Sequence, residues 1–327
     1  MSDTRLLEVN KLKTVFETED GVVRAVDESS FVLDSGETLG IVGESGSGKT
    51  VTMLSLMRLI ENPGRIAGGQ ILFRGQDLLA RTDREMQRIR GNDISMVFQD
   101  SLSSLNPTMK IGDQIGRVLA FHTNLTRKQR LDKAVELLRQ LNIPEPLKRV
   151  QNYPHELSGG MRQRILIAMA IACNPSLLIL DEPTTALDVT IEAQIFELVD
   201  QLQSEYEMGT VLITHDLSVV ASSCSRVIIM YAGKIVEEAP VLDLYDAPLH
   251  PYTRCLLHSI PKLDQAHKED LFSIPGEVPD LIGLEEGCTF APRCTEATDE
   301  CFHTSPELRA VNGRRRVACL QAGARNV

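Results

Sequence analysis

Tryptophan is absent from this 327-residue chain and aromatic side chains make up only 4% of it, a scarcity that by itself excludes little. A basic excess is missing as well. The formal net charge of -11 argues against a generic nucleic-acid binder, which carries a positive balance or patch. The one tight basic run, Arg314, Arg315 and Arg316, is expected to form a solvated face. Met1–Asn10 has no basic start followed by an apolar stretch, so no signal peptide is expected. Long apolar runs are lacking too: the longest, Ile165–Cys173, falls well short of the ~20 residues a membrane-spanning helix needs. Seven cysteines, an odd count, argue against a disulfide framework and for a reducing cytosol. The expectation is a soluble chain whose membrane role comes through partners.

What is present is an ordinary globular composition, 43% hydrophobic and 24% charged, long enough for two folding units. Up to about Asp34 the alternation of Leu7, Val9 and Leu12 with polar residues predicts short strands. Thr38–Val42 (TLGIV), Leu177–Asp181 (LLILD) and Thr210–Thr214 (TVLIT) are apolar runs of buried-strand type. A helix is predicted over Lys49–Ile60. Another lies between the second and third strands, with Ile191, Ile195, Leu198, Val199 and Leu202 on one face. Strand, helix, strand points to an α/β fold with a mainly parallel sheet. Residues about 100–160 are expected as an inserted helical subdomain, with Lys128–Leu141 its clearest helix. Val227–Val236 predicts a hairpin turning at Ala232-Gly233. After Pro240 prolines, charges and clustered cysteines take over, so 241–327 is expected as a separate C-terminal unit.

The chemistry is carried by Gly43, Glu44, Ser45, Gly46, Ser47, Gly48, Lys49 and Thr50, which match G-x-x-x-x-G-K-[ST] between a strand and a helix. Backbone N–H groups can curl around a phosphate there, the helix adds its positive end, Lys49 reaches the β and γ phosphates, and the Thr50 hydroxyl can ligate Mg2+. Asp181, ending the LLILD strand, suits Mg2+ through its hydration shell, and Glu182 suits a general base for water. A second glycine-rich turn, Ser158-Gly159-Gly160, opens a helix and is a second possible anion site, although one nucleotide does not need two from one chain. His215 follows the third strand, where a side chain would point toward a γ-phosphate.

Taken together and in this order, these segments resemble an ABC-type ATPase of the P-loop NTPase class. The resemblance implies ATP and Mg2+ as ligands. It assigns Gly43–Thr50 to the Walker A loop, Gln99 to the Q-loop, and Leu157–Met161 to the signature with Met161 in place of the usual Gln. Asp181 and Glu182 fall in Walker B, Ala186-Leu187-Asp188 in the D-loop, and His215 at the switch histidine. Phe16 is the candidate for stacking on adenine. It also implies an ATPase domain over 1–240 with an N-terminal antiparallel β subdomain, and a second ATPase subunit packed head to tail. Ser158, Gly159 and Gly160 of one copy would then clasp ATP held by the other.

Cys288, Cys294, Cys301 and Cys319, spaced C-x5-C-x6-C-x17-C, predict a soft-metal site, with zinc and an iron–sulfur cluster both open on residue chemistry alone. The segments His250-Pro251-Tyr252-Thr253, Ile274-Pro275-Gly276 and Cys288–Cys294 resemble the C-terminal extension of dipeptide and oligopeptide importer ATPases. That resemblance favours a [4Fe–4S] cluster over zinc. It implies a homo- or heterodimer of ATPase subunits, two membrane permeases, an extracytoplasmic substrate-binding protein and a place on the cytoplasmic face of the membrane. Members of the group also import nickel or glutathione. The rival is a soluble ABC ATPase acting on ribosomes or DNA. One set of motifs, no sustained heptads and a negative net charge stand against it, and no nucleic-acid partner is expected.

Overall fold

The computed structural model describes residues 5–99, 104–184, 189–260, 274–284 and 286–322. The chain forms two units. One comprises Met1–Leu6, Leu33–Glu37 and Ala80–Leu212, the other Leu7–Val32, Thr38–Leu79 and Ile213–Val327.

The second unit carries the predicted N-terminal antiparallel sheet. Arg5–Thr18 pairs with Gly64–Phe73 in a register that sets Leu7 opposite Phe73 and Val9 opposite Ile71. Leu7 and Val9 are buried, as their alternation requires, and Leu12 is buried too, within a register shift between Asn10 and Lys13. In the other sheet of this unit Thr38–Val42 runs parallel to Arg226–Tyr231, with Ile41 beside Ile228. Arg226–Tyr231 turns back into Lys234–Pro240 as the expected hairpin, and Ala232 (φ 45) and Gly233 (φ 79) take the left-handed conformation of a tight hairpin turn. The sheet continues through Arg315–Val317 to Arg309–Asn312, strands that the sequence did not disclose.

This edge pairing corrects the view of Arg314–Arg316 as a solvated face. Arg316 lies 3.0 Å from the Glu238 carboxylate and Arg315 3.8 Å from that of Glu237, two acids that the sheet buries almost completely. Buried carboxylates need cationic or hydrogen-bonding partners. Arg226, also buried, pairs with Glu238 as well.

The helix after the glycine-rich loop runs over Lys49–Leu56, shorter than the predicted Lys49–Ile60. Arg58 adopts φ 50, a left-handed residue that stops the helix.

In the first unit Ile94–Val97 runs parallel to Leu177–Asp181, Ile94 beside Leu177 and Val97 beside Leu180, with Gly209–Thr214 next in order. Every residue of Leu177–Asp181 is buried, which accounts for its unbroken apolar run. The inserted helices are Ile111–His122, Arg127–Gln140, Pro146–Arg149 and Gly159–Ile171. Thr126 and Gln129 form a capping box that starts the second, one residue from where the pattern placed it. Val189–Tyr206 turns Ile195, Leu198, Val199 and Leu202 inward, each less than 5% exposed and contributing about 1.5–3 kcal/mol by burial. Ile191 is half-buried at the margin of that face.

Candidate functional site

The Gly43–Thr50 loop follows the buried strand Thr38–Val42 directly. A Cβ on Gly43 would sit 2.2 Å from the Met230 carbonyl oxygen, and one on Gly48 2.3 Å from that of Ala25, so side chains are sterically excluded at both positions. Lys49 is 6% exposed, and its ammonium donates to the carbonyls of Gly43 at 2.8 Å and Glu44 at 2.9 Å, drawing the loop into a ring. The Gly233 N–H donates to the Ser47 carbonyl at 3.0 Å, tying the loop to the hairpin turn. The helix Lys49–Leu56 opens at Gly48 without a side-chain cap, and a helix N-terminus of this kind favours an anion.

Two residues that sequence reasoning did not place here reach the same loop. The Tyr252 hydroxyl accepts the Glu44 N–H at 2.9 Å. Arg293, almost wholly buried, donates to the two Glu44 carboxylate oxygens at 2.8 and 3.2 Å. The Arg293 guanidinium also donates to the Tyr231 hydroxyl at 3.2 Å and to the Pro275 carbonyl at 2.9 Å. Tyr231, Tyr252 and Phe290 pack with ring centroids 4.6–5.3 Å apart. These partners lie 208 and 249 residues from Glu44, and no local pattern connects such distances. The signal available was the unusual texture of the His250–Thr253 and Cys288–Cys294 segments.

In the first unit, Asp181 ends its strand 2% exposed. Glu182 follows with φ 45, a conformation non-glycine residues rarely take, in front of Pro183, which disfavours helical backbone before it. The Gln99 amide donates to the Glu182 carboxylate at 2.7 Å, so the structure joins two predicted residues 83 positions apart. Ser158 caps the helix Gly159–Ile171, its hydroxyl accepting the Met161 N–H at 3.3 Å. Met161 serves that cap through its backbone, which a Gln in its place would do equally. Gly159 and Gly160 form the first turn.

His215 stands exposed after its strand, next to Asp216, whose carboxylate caps the helix Leu217–Ser223 by accepting the Ser218 N–H at 2.7 Å. Phe16 is half-buried opposite Gly64, its ring lying over the open side of that glycine. Asp188 and the rest of the D-loop lie outside the described residues.

The expectation of a [4Fe–4S] cluster, or of zinc, on Cys288, Cys294, Cys301 and Cys319 is corrected by the structure. The four line one small pocket with Pro251, Phe290 and Leu320, yet no group of three or more His, Cys, Asp or Glu among the described residues is placed to hold a metal ion. The apolar surroundings favour neutral thiols: burial pushes the Cys288 thiol up to about 11 and raises those of Cys294 and Cys319. Cys294 Sγ accepts the Glu296 N–H at 3.4 Å, and Cys301 Sγ meets the Thr298 hydroxyl at 3.4 Å. None of the seven cysteines is in a disulfide. Cys173, Cys224 and Cys255 are half-buried.

A glycine-rich phosphate loop between a buried parallel strand and a helix, together with a buried strand ending in Asp-Glu, defines a P-loop nucleotide-binding protein of the α/β class. Comparison with known proteins narrows the class. Residues 26–185 match the ABC transporter family and residues 236–301 the oligopeptide/dipeptide transporter C-terminal region. A putative peptide import ATP-binding protein of Brucella melitensis is 50% identical over 98% of both chains. The oligopeptide transport ATP-binding protein OppD of Salmonella typhimurium is 47% identical over 97% of this chain and 93% of its own, and OppD of Bacillus subtilis 51% over 94% and 87%. Among solved structures, the dimeric ATP-binding cassette MJ0796 in a post-hydrolysis state with ADP and Pi superimposes with TM-score 0.66 at 26% identity, covering 72% of this chain and 99% of that one. The chain belongs to the ABC transporter ATP-binding family, in the group that carries the oligopeptide/dipeptide C-terminal region. Among the described residues no helix is long and apolar enough to cross a membrane.

Proposed function

We propose that this chain is the ATP-hydrolysing subunit of a peptide importer. The observation that carries this reading is the Gly43–Thr50 loop, closed around the Lys49 ammonium, in a chain similar end to end to ATP-binding proteins of peptide import. Residues 1–240 form the ATPase domain, with its helical subdomain over about 100–160, and 241–327 the extension.

Within that reading the loop N–H groups and Lys49 hold the phosphates, and Phe16 stacks on adenine. Thr50, Gln99 and Asp181 offer the hard oxygen donors that suit Mg2+, which when bound neutralises charge on the transferred phosphoryl group. Glu182 takes the proton of the attacking water, with Gln99 beside it to orient the carboxylate. His215 stabilises charge developing at the γ-phosphate. Ser158, Gly159 and Gly160 act on ATP held by a second ATPase subunit, same or different, and Asp188 joins that contact. Two permeases and an extracytoplasmic binding protein complete the importer, and the chain sits at the cytoplasmic face of the membrane. ATP-driven closure and hydrolysis-driven opening of the dimer then move the permeases.

The test is Glu182→Gln. Hydrolysis should fall by about 100-fold or more, the usual contribution of general base catalysis, while ATP binding persists. Wild-type turnover in this variant would overturn the assignment.

A further inference from the structure

The second residue of the phosphate loop presents a chemical problem. Glu44 places a carboxylate in a loop built to receive a polyphosphate, and like charges at short range disfavour the bound anion. The C-terminal extension answers it. Arg293 takes both carboxylate oxygens in a two-pronged contact and is itself held by the Tyr231 hydroxyl and the carbonyls of Ile274 and Pro275. Its guanidinium therefore has little freedom to leave.

Tyr252, from the same extension, accepts the Glu44 N–H. This fixes the Gly43–Glu44 peptide plane, whose carbonyl, that of Gly43, accepts from Lys49 on the other edge. Burial raises the Tyr252 hydroxyl far above its ordinary range, so it stays a neutral acceptor at any working pH. The carboxylate is neutralised and the backbone is oriented before any ligand arrives, and preorganisation of this kind acts on affinity.

We infer that Arg293 and Tyr252 are positioning residues of the phosphate loop, through which the C-terminal extension sets the affinity for ATP. The inference rests on the reading of Gly43–Thr50 as the ATP site.

The experiment titrates magnesium ATP into the full chain by calorimetry and measures steady-state hydrolysis, with melting temperature as the check on folding. Arg293→Gln should raise both Kd and KM for ATP roughly tenfold while kcat stays within about twofold, the loss expected for one charge-assisted contact. Tyr252→Phe keeps the ring cluster, removes the acceptor and should raise Kd about threefold to tenfold. Glu44→Gln with Arg293→Gln should recover most of the affinity lost by Arg293→Gln alone, because the uncompensated carboxylate is then gone. A merely structural Arg293 would give additive losses and no recovery. Lys49→Ala is the control. If it binds ATP normally, the phosphate-loop reading falls and the inference with it. If Lys49→Ala loses ATP while folded Arg293→Gln and Tyr252→Phe bind it like the wild type, the inference alone is overturned.

Discussion

The residues proposed to grip the nucleotide and those proposed to hydrolyse it live in opposite surroundings. Lys49 and Ser47 are 6% and 1% exposed, and the loop around them is tied to a hairpin turn, a tyrosine hydroxyl and a buried arginine. Gln99, Ser158 and His215 are exposed, and Glu182 is half-buried on a left-handed backbone. A buried, many-tethered loop costs little entropy to organise when ligand arrives. Exposed catalytic groups are open to completion by another surface, which suits a site whose remaining parts come from a second subunit. On the proposed reading, binding and turnover are expected to be separable.

That contrast can be broken most sharply on the buried side. Gly43→Ala would drive a methyl group to 2.2 Å from the Met230 carbonyl, in a strand paired with Thr38–Val42 that has no room to yield. Overpacking of this kind costs about 3 kcal/mol, so a lowered melting temperature and a loss of ATP affinity of roughly 100-fold are expected by calorimetry. Normal affinity would show the loop to be softer than its contacts imply.

A pH scan probes the same buried side with a smaller effect. His250 is fully enclosed beside Tyr252, whose N–H its Nδ1 accepts at 3.1 Å, and burial, with Arg254 nearby, pushes it down to about 3. The unfolded chain takes up that proton near 6.5, well before the folded one does. Its contribution to stability is present above pH 6.5 and is lost as pH falls toward 3. His250→Asn keeps an acceptor and removes the titration, so its melting temperature should fall less than that of the wild type between pH 7 and pH 5. Parallel curves would sink this assignment.

The exposed side gives the smallest change. Ser158→Ala removes a helix cap worth about 1 kcal/mol and should lower the melting temperature by a few degrees. The monomer's ATP affinity at its own Gly43–Thr50 loop should stay at the wild-type value, because Ser158 is proposed to act only on ATP held by a second subunit. A drop in affinity would mean that the two regions are not separable.

Much of this was legible in the order of the residues, and the failures are as instructive as the successes. The phosphate loop, the LLILD strand and the amphipathic face of Val189–Tyr206 each depend on neighbours within a few positions, and each was found where the pattern put it. The four late cysteines misled, because spacing says that thiols are near in the chain but not whether their sulfurs converge as ligands. Burial in an apolar pocket decided that question. Arg314–Arg316 misled for the opposite reason. A basic triplet looks solvated until a sheet edge sets two of its members beside Glu237 and Glu238.

Local chemistry written in the sequence was enough to determine a nucleotide-binding α/β protein, since a glycine-rich turn, a lysine and a helix start need only adjacency. Tertiary structure alone decided what stands behind the loop. Ion pairs and hydrogen bonds across 208 and 249 residues depend on how strands and the C-terminal extension pack, and that packing is a property of the whole folded unit rather than of any segment.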